Sequence, residues 1–171
     1  MEITEVLDQQ TIVTHLAAKD KAETLEYMAQ MFVKAGNVND KEQFIKDVYK
    51  REAIGATGVG NYIAIPHGKS TAVTKPGVAV AVLNHEIEWE SLDNTGAKIV
   101  ILFAVGADDE AAMEHLKLLA MFSKRLGDDV VIKRLLDADS VEDVIHAFAE
   151  EEAQTEDLEE EELDLDDIEI L

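Results

Sequence analysis

The chain has no cysteine, only two prolines and only three arginines among 171 residues. Without cysteine there is no disulfide, no thiolate nucleophile and no Cys-ligated zinc or iron–sulfur centre, so histidine and the carboxylates must carry any chemistry. There is also no run of eighteen apolar residues, and the chain opens Met1-Glu2-Ile3-Thr4-Glu5 where a secretory leader would be basic and then apolar. A soluble, cytoplasmic protein with no direct membrane insertion is the expectation. Bases are scarce too: 15 Lys and Arg against 37 Asp and Glu give a formal net charge of −22. Glu150 to Leu171 holds 13 of those acids and no base, which leaves 24 acids (37 − 13) against 15 bases before it. That surplus argues against a nucleic-acid partner and mildly favours a basic protein face.

What is present is apolar mass, 47% of the chain, enough for one domain with a substantial core. Glu2 to Leu7 alternates weakly and predicts a short strand ended by Asp8-Gln9-Gln10. After Asp20, Leu25, Met28, Ala29 and Phe32 recur at helical spacing; Glu23 sits three after the Asp20 cap, and Gly36 closes the segment. Asp40 and Gln43 predict the cap of a second helix with Phe44, Ile45 and Val48 inward, packed on the first as a hairpin. Gly55 to Gly60 reads as a flexible loop feeding a strand over Tyr62 to Ile65. Val78 to Leu83 and Lys98 to Val105 are continuous apolar runs, which predicts strands buried on both faces. Between them Asn84 to Gly96 reads as turn-rich, with Trp89 at a core edge.

A long helix is predicted over Asp109 to Leu126 with Gly127 ending it, then a short one over Asp128 to Leu136. Ser140 and Asp143 cap a last helix whose Val141, Val144, Ile145 and Phe148 face inward. Strands mixed with helices predict an α/β layered domain over residues 1–149, helices covering a central sheet. Residues 150–171 have the charge density of a disordered acidic tail or linker. Their Leu158, Leu163, Leu165, Ile168, Ile170 and Leu171 also suit a peptide that a partner binds.

Chemistry concentrates in Ile63-Ala64-Ile65-Pro66-His67-Gly68. Pro66 fixes its own φ and has no N–H for a ladder, so the strand is expected to stop there, while Gly68 lets the chain turn. His67 is then presented at an edge rather than packed in a core. Its imidazole is a good nucleophile when neutral near pH 7.

Other readings of the same region fail on spacing. Gly58-Val59-Gly60 lacks a third glycine at 63 and a preceding strand, so it is not a dinucleotide fingerprint, and Gly68-Lys69-Ser70 has no glycine at 63 for a phosphate-binding loop. The histidines, at 15, 67, 85, 115 and 146, contain no pair spaced for a metal. His15, His85 and His146 read as ordinary surface or hydrogen-bonded residues. His115 lies on the long helix after a buried strand, where it faces either water or the crevice at the sheet's end. Arg51, just before the glycine-rich segment, has the planar donor set to hold a phosphate, or a salt bridge to a neighbouring acid.

Glu52, then Val59-Gly60, then Ile63 to Gly68 resembles the signature of the type-2 enzyme IIA domains of the sugar phosphotransferase system, the fructose and mannitol class. The likeness extends through Thr57-Gly58, Gly68-Lys69-Ser70, Lys75-Pro76-Gly77-Val78-Ala79-Val80, Glu88-Trp89 and His115-Leu116-Lys117-Leu118-Leu119. It covers the chain to about Phe148 and is closest to the fructose branch. The resemblance implies a central mixed sheet flanked by helices on both faces, a three-layer α/β/α domain. It implies that His67 takes a phosphoryl group on Nε2 from phospho-HPr and passes it to a cysteine of a IIB domain, serving sugar uptake through a IIC membrane domain. His115 and Arg51 match the second histidine and the arginine that line such sites, and no metal, nucleotide or other cofactor is implied. A nitrogen-type or activator-linked regulatory IIA module is the alternative within the family. A binding-only domain on the same fold has no need of the full Pro-His-Gly site.

Overall fold

The computed structural model describes residues 3–149. In chain order the elements are α1 (Ile3–Val6), β1 (Leu7–Leu16), α2 (Lys21–Ala35), α3 (Lys41–Glu52), β2 (Gly58–Gly60), β3 (Ile63–Ala64), β4 (His67–Lys69), β5 (Gly77–Ile87), β6 (Ala97–Val105), α4 (Asp109–Leu126) and α5 (Asp129–Leu136). A last helix, α6, covers 141–149. The acidic segment 150–171 lies outside the described residues.

The sheet is six-stranded and mixed. Its order is β1-β5-β6-β3-β2, with β4 also on β6; β1 is parallel to β5, β5 antiparallel to β6, and β3 and β4 are both parallel to β6. Successive side chains of a strand point to opposite faces, and that alternation divides the core in two. Val78, Val80, Val82, Ile99, Ile101 and Phe103 pack with Phe122, Leu126, Val131, Leu135, Val144 and Phe148 of α4, α5 and α6. Ala79, Ala81, Leu83, Val100, Leu102 and Ala104 pack with Leu25, Met28, Phe32, Phe44 and Val48 of α2 and α3. The unbroken apolar runs therefore mean what they were expected to mean, a sheet covered on both faces.

The helices begin and end on their own capping residues. Asp20 accepts from the Glu23 N–H at 2.9 Å and Asp40 from the Gln43 N–H at 3.1 Å, each filling a donor the first turn leaves unpaired. Gly36 ends α2 at φ 84, where a side chain would be strained. The predicted hairpin of α2 and α3 closes on the Phe32 and Phe44 rings, edge to face at 5.8 Å. Gly127 also follows its helix, but at φ −78, because Asp128 immediately caps α5.

Several local expectations are corrected. Ile3–Val6 is helical, and the strand starts at Leu7, where Glu2 to Leu7 had predicted the strand itself. Asp8-Gln9-Gln10 does not end it: the register shifts between Leu7 opposite Val78 and Ile12 opposite Val80, and the Asp8 carboxylate accepts from the Gln10 N–H across the irregularity. Part of the glycine-rich loop is a strand, since β2 pairs antiparallel with β3 through a two-residue turn in which Asn61 and Tyr62 both have positive φ. β5 also runs on to Ile87, into the stretch read as turns.

Pro66 interrupts the strand without ending it. Ile63 lies opposite Ile99 and His67 opposite Phe103, so β4 resumes in the register that β3 left. The Pro66 carbonyl still accepts from the Phe103 N–H at 3.1 Å, and the Ile65 N–H turns away to the Thr57 carbonyl at 2.9 Å. Gly68 is no turn either. It is a buried strand residue on which α3 rests, and a Cβ there would lie 2.6 Å from Phe44 Cε1 and 2.8 Å from Val48 Cγ2.

Candidate functional site

Three elements meet at one end of the sheet. Phe44 and Val48 seat α3 on Gly68, which turns the next face of that helix, Asp47, Lys50 and Arg51, toward β4. β4 supplies His67 and Lys69, and α4, entering from the opposite layer, supplies Ala112, His115 and Leu116. Together with Ile54 and Val105 these residues line a cleft of about 410 Å³. Lys50, Arg51 and Lys69 make the cleft locally cationic in a chain of net charge −22. A larger concavity of about 560 Å³ runs along Glu5 to Thr11 and Lys75 to Val78, but it holds no histidine and no cluster of reactive groups.

The two imidazoles are neighbours. Their ring centroids are 4.9 Å apart with 43° between the planes, so His115 faces the crevice and not water. Phe103, which is opposite His67 in the sheet, meets the His115 ring edge-on at 5.2 Å. Edge-to-face contacts continue from Phe103 to Phe122 at 5.3 Å and on to Phe148 at 5.4 Å. The back of the site is thus built into the aromatic core. Phe103 and the Asp47, Lys50 and Lys69 side chains were not singled out from the sequence. The spacing of 47, 50 and 51 along one face of α3 is the signal that points to three of the cleft's residues.

His67 is half-buried, with Nδ1 enclosed. Burial holds its pKa below the usual 6.5, the Arg51 guanidinium lowers it further, and the Ile65 carbonyl opposes them. His115 is pushed down to about 4 by burial and by the charge its neighbour would carry. Two adjacent imidazoles cannot easily both be charged, so both are neutral near pH 7 and each keeps a lone pair. Among the described residues Arg51 forms no salt bridge, its other reading; its Nη1 donates to the Gly55 carbonyl at 3.2 Å. Asp47 is held below the ordinary carboxylate range: burial opposes this, and hydrogen bonds from Ser70 and Gln43 with the Lys50 ammonium at 3.4 Å outweigh it.

The other histidines lie elsewhere. His15 Nε2 is 3.2 Å from Asp139, and His85 and His146 are exposed. Among the described residues no three His, Asp or Glu side chains come together as a metal site, and no helix is long and apolar enough to cross a membrane.

The mixed sheet flanked by helices on both faces is also the architecture of solved mannitol IIA domains. Residues 5–151 match the family of the phosphoenolpyruvate-dependent sugar phosphotransferase system, EIIA 2. The chain belongs to that family, the type-2 IIA domains, whose members mediate phosphoryl transfer. It is 34% identical over 145 residues to the fructose-specific EIIABC component of Bacillus subtilis, covering 85% of this chain but only 22% of that protein. It is 30% identical over 151 residues to the nitrogen regulatory protein of Klebsiella oxytoca, covering 88% of this chain and 91% of that one. Among solved structures, the complex of enzyme IIAMTL and phosphorylated enzyme IIBMTL from Escherichia coli superposes with a TM-score of 0.71 at 25% identity, covering 84% of this chain and 96% of that one.

Proposed function

We propose that this chain is a phosphocarrier: His67 accepts a phosphoryl group on Nε2 from phospho-HPr and delivers it to a cysteine of a IIB domain. The observation that carries this reading is a neutral imidazole with Nδ1 enclosed, set in a cleft with Lys50, Arg51, Lys69 and a second imidazole. In the first half-reaction the His67 Nε2 lone pair forms the new N–P bond as the donor's N–P bond breaks. The donor imidazole leaves with that electron pair and is neutralised by a proton taken from solvent water. In the second, the acceptor thiolate forms an S–P bond while the His67 N–P bond breaks, returning a neutral imidazole.

Such transfers run through loose, in-line transition states, so catalysis is alignment plus charge stabilisation. Arg51 supplies a fixed cation for the phosphoryl oxygens, and His115 lines the path beside the acceptor nitrogen. The cleft's openness to two protein partners in turn is consistent with exposed Ile54 and Leu116 at its rim. Fructose uptake through a cytoplasmic IIA, IIB and membrane IIC relay is the setting that the fructose-specific relative supports. A regulatory role is the second reading, favoured by the nitrogen regulatory relative that matches over 91% of its length.

Incubation with phospho-HPr tests the reading directly. Acid-labile phosphate should appear on the wild-type chain and be absent from His67→Ala, which lacks the nucleophile. Acceptance by the variant would overturn it. Onward transfer to a purified fructose IIB domain separates transport from regulation.

A further inference from the structure

Behind the cleft lies a polar network that the transfer chemistry above does not use. The Glu52 side chain, only 6% exposed, accepts from Lys21 Nζ at 2.5 Å and from the Thr57 hydroxyl at 2.9 Å. Trp89 Nε1 donates to the same Thr57 hydroxyl at 2.9 Å, and Thr57 is itself buried. Lys21 reaches on to Glu90 at 2.8 Å and lies over the Trp89 ring at 4.7 Å. So the hydroxyl both donates and accepts, and a buried carboxylate depends on it.

The position of Thr57 matters more than its energy. Glu52 is the residue after Arg51, and the Thr57 carbonyl accepts from the N–H of Ile65, two residues before His67. One residue therefore ties the arginine's helix end to the histidine's strand, through its side chain on one side and its backbone on the other. The four residues between Glu52 and Thr57 are exposed, and the Gly55 carbonyl that Arg51 holds is among them. With both ends of that short loop pinned, the Gly55 carbonyl has a fixed place and the guanidinium is aimed. With the Thr57 end free, the loop has nothing buried of its own to hold it.

We propose that Thr57 is a positioning residue for phosphoryl transfer, fixing the separation of Arg51 and His67 through Glu52 and Ile65. The inference rests on the phosphocarrier reading above. It assigns Thr57 no contact with the phosphoryl group. Its effect runs through Arg51, and a misplacement of about an ångström is enough to slow an in-line transfer markedly.

The test compares Thr57→Val, Thr57→Ser and Arg51→Ala, with the double variant Thr57→Val/Arg51→Ala, for the rate of phosphate acceptance from phospho-HPr. Thr57→Val should slow transfer ~10-fold, Thr57→Ser should restore most of it, and Thr57→Val should change the Arg51→Ala rate by less than about twofold. Unfolding curves check that Thr57→Val folds; if it does not, Thr57→Ala, which also removes the hydroxyl that donates to Glu52, takes its place with the same expectation. A second readout is the His67 titration by NMR. Arg51, His115, Lys69, Asp47 and Lys50 share its cleft, and loosening Arg51 should move the His67 midpoint up toward the ordinary value in Thr57→Val but not in Thr57→Ser. Wild-type transfer by Thr57→Val, or slowing that multiplies fully with that of Arg51→Ala, overturns the positioning role. Unchanged transfer by Arg51→Ala overturns the role of Arg51 instead, and acceptance by His67→Ala overturns the phosphocarrier reading as a whole.

Discussion

His115, carried by a helix from one layer, stands 4.9 Å from His67, carried by a strand whose other face is covered by α3 from the opposite layer. The pair joins the two halves of the core at the sheet's end. Among the described residues neither imidazole is paired with a carboxylate, and the Nδ1 atom of each is enclosed. Charging either ring is therefore unfavourable, as the proposed acceptor role of His67 requires.

His115→Ala should still accept phosphate, because His67 retains its lone pair, but should pass it to a IIB domain ~10- to 100-fold more slowly for want of a second group beside the phosphoryl. Separate rapid-quench measurements of the two half-reactions check this. Wild-type rates in both would make His115 a packing residue for Phe103.

The imidazole titrations have a definite sign. Both histidines have folded values below the ordinary 6.5, so between that pH and about 4 the unfolded chain binds protons that the folded chain refuses. Their contribution to stability is complete above pH 6.5 and is lost as pH falls toward 4. NMR should show a His115 midpoint near 4, and denaturant midpoints should fall further from pH 7 to pH 5 in wild type than in His115→Gln. A His115 midpoint at or above 6.5 would contradict the burial argument.

Gly68→Ala places a methyl against Phe44 and Val48. Relief requires α3 to move off β4, at a cost of ~1–3 kcal/mol, and that movement carries Arg51 away from His67. Lower stability in urea should therefore be accompanied by slower phosphate acceptance. Loss of stability with transfer intact would mean that the helix shift does not reach Arg51.

Phe122→Ala removes the ring that links Phe103 to Phe148 in the fully buried aromatic row. The expected loss is ~3–5 kcal/mol of unfolding free energy, measured by chemical denaturation. A loss below about 1 kcal/mol would mean the cavity collapses and the row is not structural.

The helices after α1 were legible in the sequence because their signals are local: Asp20 with Glu23, Asp40 with Gln43, and Gly36 lie within a turn of what they cap. The two central strands were legible because a strand covered on both faces has no polar side to alternate with. The edges were harder to read. Leu7 to Leu16 and Gly58 to Gly60 are strands only because β5 and β3 lie beside them, and their own residues carry bulges, polar side chains and glycines.

At the site, the Pro-His-Gly motif by itself determined which residue to watch, since a proline beside a histidine in an apolar strand is a local fact of chain chemistry. Only the tertiary structure decided what surrounds it. Pro66 passes the register on because β6 offers a donor to its carbonyl, Gly68 is required by the packing of α3 and not by a turn, and His115 meets His67 from a helix that follows it by two strands. Proximity across layers is set by packing between faces, which no short window of sequence encodes.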